Sequence, residues 1–157
     1  MADIISDGLT KVSFVPTISN TSAPTTAELN AGTGLETFLT PDGLAIEIST
    51  ESVDTTALSS TYNASLPGRQ TASTELTLKF QGDAVAPFST FAAKPEGYIV
   101  VRRNLASTTA WTAAQVVEVY PVQAGIRRRQ PPAGNEVLKF TVQLCHTSIP
   151  VQGATVA

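Results

Sequence analysis

Three groups of side chains carry whatever chemistry this chain has: His146 with Cys145 beside it, the carboxylates Glu47 and Glu51, and the run Arg127, Arg128, Arg129. The histidine and the cysteine are each the only one of their kind. One histidine cannot build a multi-histidine metal site. Successive residues of a strand point to opposite faces, so Cys145 and His146 are poorly placed as nucleophile and base. His146 instead continues the apolar face of Phe140, Val142 and Leu144, and reads as a packed or interface residue. Glu47 and Glu51 are conceivable acid/base partners, but carboxylates so spaced are more often the wet side of a strand. The arginines suit phosphate groups. They lack aromatic neighbours, though, in a chain of net charge -3, and read as a solvated or subunit-contacting loop. No Gly-rich phosphate loop, Gly-x-Ser-x-Gly elbow or metalloprotease helix occurs. The expectation is a protein with no catalytic residue, no metal site and no cofactor.

The elements around these residues centre on the stretch from Gly43 to Gly82. Leu44, Ile46 and Ile48 alternate with Ala45, Glu47 and Ser49. Farther on, Ala72, Leu76, Leu78 and Phe80 share one face, and Ser73, Glu75, Thr77, Lys79 and Gln81 the other. Period-two alternation predicts two amphipathic strands, each with one face on a core and one in water. The loop between them, residues 54–70, is longer than a hairpin needs. The rest is predicted in order. Residues 1–9 form a flexible polar arm and 11–18 a strand. Residues 26–30 make one helical turn capped by Thr26, and 84–93 a short helix with Val85, Phe88, Phe91 and Ala92 on one side. Strands follow at 98–103, 114–124 and 136–146, with a loop bearing Trp111, a basic Pro-rich loop at 127–135 and a C-terminal tail at 148–157. Six strands without a βαβ rhythm predict one all-β domain over 1–157, a β-sandwich or barrel with a short flanking α-helix.

Composition narrows the function classes. Charged residues are 15% of the chain, against about 25% in ordinary soluble domains. Ser and Thr fill the gap with 35 residues. A surface of Thr, Ser and Ala is easily desolvated, as suits a chain buried against copies of itself; it equally suits any Thr-rich β-protein. Residues 28–83 carry eight acids against Arg69 and Lys79, whereas 94–139 carry seven bases against three acids. Two halves of opposite sign suit head-to-tail association. A lone cysteine allows no internal disulfide. The start has no secretory pattern, and no apolar run approaches the roughly 20 residues of a membrane helix. The expected place of synthesis is the cytoplasm.

The run Pro24-Thr25-Thr26-Ala27-Glu28-Leu29-Asn30-Ala31-Gly32-Thr33, followed by Leu39-Thr40-Pro41-Asp42-Gly43-Leu44, resembles the N-terminal third of the major tail (tail tube) proteins of long-tailed, siphophage-type bacteriophages. Gly97-Tyr98-Ile99-Val100-Val101-Arg102-Arg103 extends the resemblance, which spans roughly residues 10–148. It implies a β-sandwich with a flanking helix whose subunits close into sixfold rings. Those rings stack head to tail into the virion's tail tube, the conduit for DNA ejection, and are assembled in the host cytoplasm. It implies no enzyme. Expected partners are the chain itself, the tape measure protein, the tail terminator and tail tip proteins, and double-stranded DNA in transit. On this resemblance Glu47, Ser49, Glu51, Ser73, Glu75 and Thr77 face the lumen, with Lys79 near a rim or paired with Glu47 or Glu75. Asp54, Tyr62, Arg69, Arg127, Arg128 and Arg129 are expected at subunit and ring-stacking contacts. Two other readings stay open: a monomeric β-sandwich adhesion module of a virion or cell surface, for which Tyr62 and Trp111 are the loop aromatics, and a tube protein of the type VI secretion kind.

Overall fold

The computed structural model describes residues 4–157. Its elements are β1 (Lys11–Val15), α1 (Thr26–Asn30), β2 (Thr33–Gly34), β3 (Leu39–Asp54), β4 (Ser65–Lys79), β5 (Glu96–Arg102), β6 (Val116–Arg129), β7 (Lys139–His146) and β8 (Val151–Thr155). One sheet holds all the strands, every pairing antiparallel, in the order β2-β1-β5-β6-β7-β4-β3, with β8 beside β6. The all-β class with a short flanking helix is as expected. The layering comes from one sheet curling on itself.

The apolar alternation explains that curl. Val12, Phe14, Ile99, Val101, Tyr120 and Val122 of β1, β5 and β6 share a core with Leu76, Leu78, Phe140, Val142 and Leu144 of β4 and β7. The opposite face of β1, β5 and β6 carries Val15, Val100, Val117 and Val119, which pack with Leu29 of α1, Trp111, Ala154 and Val156. Strands covered on both faces read as continuous apolar runs rather than alternations, and Ile99-Val100-Val101 is such a run. Long β6 serves β5 on one side and first β8, then β7, on the other. Pro121, which has no N–H to give, falls between the pairings to β8 and β7.

Several boundaries differ from the sequence reading. The segment 84–93 is a chain of turns, not a helix. Pro87 lacks a donor and disfavours the helical region at Ala86. Phe88 and Phe91 are nonetheless buried, as their spacing suggests, while Val85 is exposed. The ribbon loop is 55–64, not 54–70, because β3 and β4 stay paired as far as Asp54 opposite Ser65. A register shift on the way falls at Gly68, where a side chain would run into Val53. Arg127, Arg128 and Arg129 end a strand instead of starting a loop, since they pair with Val142, Thr141 and Phe140. Leu138, expected inward, is exposed in the 130–138 turn. The tail contains β8, and its Ala154 and Val156 are buried. Of the arm expected over 1–9, residues 1–3 lie outside the described residues. The carbonyls of Gly8 and Leu9 accept from the amides of Ser107 and Leu105, at 2.8 and 3.3 Å.

The cap of α1 is Thr25, one residue earlier than expected. Thr25 and Glu28 exchange hydrogen bonds, Glu28 N–H to Thr25 Oγ1 at 3.3 Å and Thr25 N–H to Glu28 Oε2 at 2.9 Å. The same carboxylate accepts from the Ser19 amide and hydroxyl. These donors, the Thr25 amide foremost and then the Ser19 amide and hydroxyl, lower its pKa to about 2. At the other end of β5, Arg102 is buried (1% exposed) without a salt bridge among the described residues. Its guanidinium donates to the carbonyls of Ala106, Thr109 and Ala110 and to Gln115 Oε1, at 2.8–3.2 Å. Trp111 stacks over it at 5.0 Å.

Candidate assembly surface

Strand register sorts the polar residues of the ribbon onto one face. Opposed residues of antiparallel strands share a face. Glu47 lies opposite Ser73, and Ser73 opposite Cys145, which in turn meets Gln123 of β6. One step toward the base, Ala45, Glu75 and Gln143 form the next row; then come Thr77, Thr141 and Arg128, and finally Lys79 beside Lys139. Toward the tip, Ser49 and Thr71 face each other, with their hydroxyls 2.7 Å apart. Alternation along β3 adds Glu51 to this side. Glu47, Ser49, Glu51, Ser73 and Glu75 are exposed and Thr77 is half-buried. The sequence missed Thr71, Gln143, Cys145 and Gln123, because no one strand shows that the wet face runs on across β7 to β6.

The face is zoned. Glu47, Glu51 and Glu75 take part in no salt bridge among the described residues. Glu47 and Glu75 are diagonal neighbours across β3 and β4, roughly 7 Å apart. Lys79, Lys139 and Arg128 lie at the basal end, with Lys139 bonded to Glu136 at 2.9 Å. Lys79 thus faces Lys139, not Glu47 or Glu75.

The residues expected at contacts fall at two opposite ends. Asp54, Tyr62 and Arg69 belong to the distal ribbon, and 127–129 to the base. The tip is closely knit. Asp54 Oδ1 accepts from the Thr56 amide at 2.8 Å, and Thr56 Oγ1 accepts from the Ala64 amide at 3.0 Å. The Thr56 hydroxyl and amide hold the Asp54 carboxyl below its ordinary pKa. At the base, Arg127 and Arg129 point to the core side of the sheet and Arg128 to the wet side. Arg127 stacks on Phe88 at 3.9 Å and donates to its carbonyl at 2.6 Å. Arg129 covers Phe80 at 4.9 Å and pairs with Asp83. These two arginines do have aromatic neighbours, brought from 80–88 by the fold and invisible in the local sequence.

Beyond the ribbon, the geometry holds no reactive constellation. His146 donates to or accepts from Thr74 Oγ1 through Nε2 at 2.8 Å and packs edge-on against Tyr120; burial lowers its pKa. Burial also raises the Tyr120 phenol to about 12, helped by its hydrogen bond to Glu118. Cys145 is exposed on the other face. Among the described residues, no three His, Cys, Asp or Glu side chains converge as a metal site. An open cleft of about 470 Å³ at the start of β3 is lined by Glu36, Thr40, Arg103 and Ser107 among others. Arg103 is engaged with Glu118 at 3.1 Å. No helix among the described residues is long and apolar enough to cross a membrane.

β3 ends the sheet, so its outer edge, along most of 16 residues, has no strand beside it. Long open edges invite pairing with another chain. Trp111 is only 6% exposed while Tyr62 is 80% exposed, so the loop aromatics form no exposed pair.

Comparison with known proteins fits a self-assembling strand protein. A solved structure, "Cryo-EM structure of the anti-feeding prophage (AFP) baseplate, 6-fold symmetrised", contains a chain similar in fold, with a TM-score of 0.61 over 97% of this chain and 98% of that chain, at 10% identity. At that identity the likeness concerns the fold alone. No curated protein matches. The model of the phage tail tube protein family matches residues 1–157. The chain therefore belongs to the phage tail tube protein family: it is a structural protein of the virion tail, and not an enzyme.

Proposed function

We propose that copies of this chain close into sixfold rings and that the rings stack into the hollow tube of a long, siphophage-type tail. The wet face of β3, β4, β7 and β6 lines the channel, through which double-stranded DNA leaves the particle. The observation that carries this is the open edge of β3 beside a face with no packing partner. At the far side of that four-strand patch, β5 leaves β6 after Gln123, which leaves residues 125–129 without a strand on that side. An open edge at each end of one curved patch allows pairing from subunit to subunit. Closure then removes the edges that would otherwise aggregate. The baseplate that contains the fold relative was 6-fold symmetrised, which supports six as the ring number here.

The wall so formed carries Glu47, Ser49, Glu51, Ser73, Glu75 and Thr77. Carboxylates and small hydroxyls repel phosphate and offer a passing duplex nothing to hold. Arg128 and Lys79 sit at one rim of this wall. Assembly in the host cytoplasm, around a tape measure protein and between tail terminator and tail tip proteins, belongs to the same reading. An adhesion module is disfavoured by the burial of Trp111.

Negative-stain microscopy of the purified chain tests the ring: stacked sixfold annuli with a central hole are expected. A chain that stays single at every concentration rejects it. For the wall, particles in which Glu47, Glu51 and Glu75 are all lysine should assemble yet eject DNA slowly or not at all. Normal infectivity of such particles rejects the lumen assignment.

A further inference from the structure

The ribbon has two poles, and they are chemically matched. β4 pairs with β7 only from Ser73 onward, so its first eight residues, 65–72, have β3 as their sole neighbour. At about 3.3 Å per residue the bare ribbon projects roughly 25 Å. A two-stranded ribbon alone is marginal in water. Its tip nevertheless exposes Val53, Leu58, Tyr62 and Leu66, with Leu58 wholly in solvent. The polar groups of the tip are turned inward. The Thr55 amide donates to the Ala64 carbonyl, and Ser60 and Tyr62 bond to each other. An ordered loop with its apolar side chains outward is shaped to contact something.

The opposite end offers a counterpart. Val85, Val137 and Leu138 are exposed there, beside half-buried Phe80. The patch is held in place by the Phe80 amide, which donates to the Leu138 carbonyl at 2.7 Å. Charge separates the poles in the same sense. Glu47, Glu51 and Asp54 outnumber Arg69 on the distal ribbon, while Lys79, Arg128, Arg129 and Lys139 outnumber Asp83 and Glu136 at the base. An apolar patch with an acidic surround and an apolar patch with a basic surround, about 45 Å apart along β4, are complementary between copies but not within one.

We propose that the ribbon tip of one copy docks on the basal pole of a second copy, with Leu58, Tyr62 and Leu66 against Val85, Val137 and Leu138. The contact is heterologous and, being head to tail, repeats without closing. It rests on the tube reading in one respect: repetition of this contact is what stacks one ring on the next. The second copy is the occupant because the two surfaces differ in sign and lie on one chain.

Charge reversal in pairs tests it. Variant one carries Glu51→Lys and Asp54→Lys; variant two carries Lys79→Glu and Lys139→Glu. Each alone should lose at least about tenfold in filament length by microscopy. An equimolar mixture should regain it, since reversed tips then meet reversed bases and unreversed meet unreversed. Tubes of wild-type length from both single variants overturn the docking and leave the tube reading standing. Should the wild type form no tubes, or the reversals unfold the chain, trapping decides. Leu58→Cys and Leu138→Cys, each with Cys145→Ser, are mixed and oxidised. A mixed disulfide at least tenfold faster than either variant's self-pairing supports the docking. Equal rates overturn it whatever the fate of the tube reading.

Discussion

β4 is one strand with two fates. From Thr74 to Lys79 it lies between β3 and β7, and Thr74, Leu76 and Leu78 are buried. From 65 to 72 it has β3 alone, and apart from half-buried Gly68 and Ala72 every residue is exposed. The residue types are similar in both halves: Thr, Ser, Leu and Ala in alternation. Alternation therefore assigns a residue to a face, and the neighbouring strands decide whether that face is covered. The inner half owes its stability to burial, whereas the outer half has only its own ladder.

The widest gap between the halves should appear in native-state hydrogen exchange. Inner amides of β4 should open only with the whole domain, on the order of 5–15 kcal/mol. Ribbon amides beyond residue 72 should open for about 1–3 kcal/mol in the isolated subunit. Equal protection would erase the distinction, and a rise in ribbon protection on assembly would sharpen it. Next in size is Leu76→Ala, which should cost about 2–5 kcal/mol in urea unfolding; Leu66→Ala should stay within about 0.5 kcal/mol. The basal end repeats the contrast between adjacent residues. Arg127→Ala, which loses the Phe88 carbonyl and ring, should cost about 1–2 kcal/mol, and Arg128→Ala, on the open face, about 0.5 kcal/mol or less. The smallest effect separates a tied carboxylate from open ones. Folding lowers the Glu28 pKa from 4.5 to about 2, so its contribution is complete above 4.5 and fades as pH falls toward 2. Glu28→Gln should flatten the melting temperature against pH over that window. Glu47→Gln, at a carboxylate with no hydrogen bond among the described residues, should leave the curve's shape alone.

Much of the sheet was legible because its signals are local. The alternation of Leu44, Ile46 and Ile48 and of Phe140, Val142 and Leu144 announces strand and inner face together. So does the turn before the ribbon, with Pro41, Asp42 and Gly43. What could not be read depends on partners distant in sequence. Residues 127–129 look like a loop until 140–142 lie beside them. Val151–Thr155 is a strand only because β6 is long enough to take β8 as well as β7. The 84–93 segment has helical spacing, and its Phe88 and Phe91 are buried, yet Pro87 breaks the ladder that spacing would have used. The wet face was read on two strands but covers four, for the same reason.

Arg102 has a consequence for how one corner of the molecule can behave. Three carbonyls and one side-chain amide of residues 106–115 are committed to a single guanidinium in the interior. Any other path for that corner would strand a full positive charge among apolar groups, at a cost of several kcal/mol. Lysine, a point charge rather than a planar fork, could not span the same acceptors. The corner is thus restricted to one shape and travels as a block with β5, so whatever rests against it meets a hard surface.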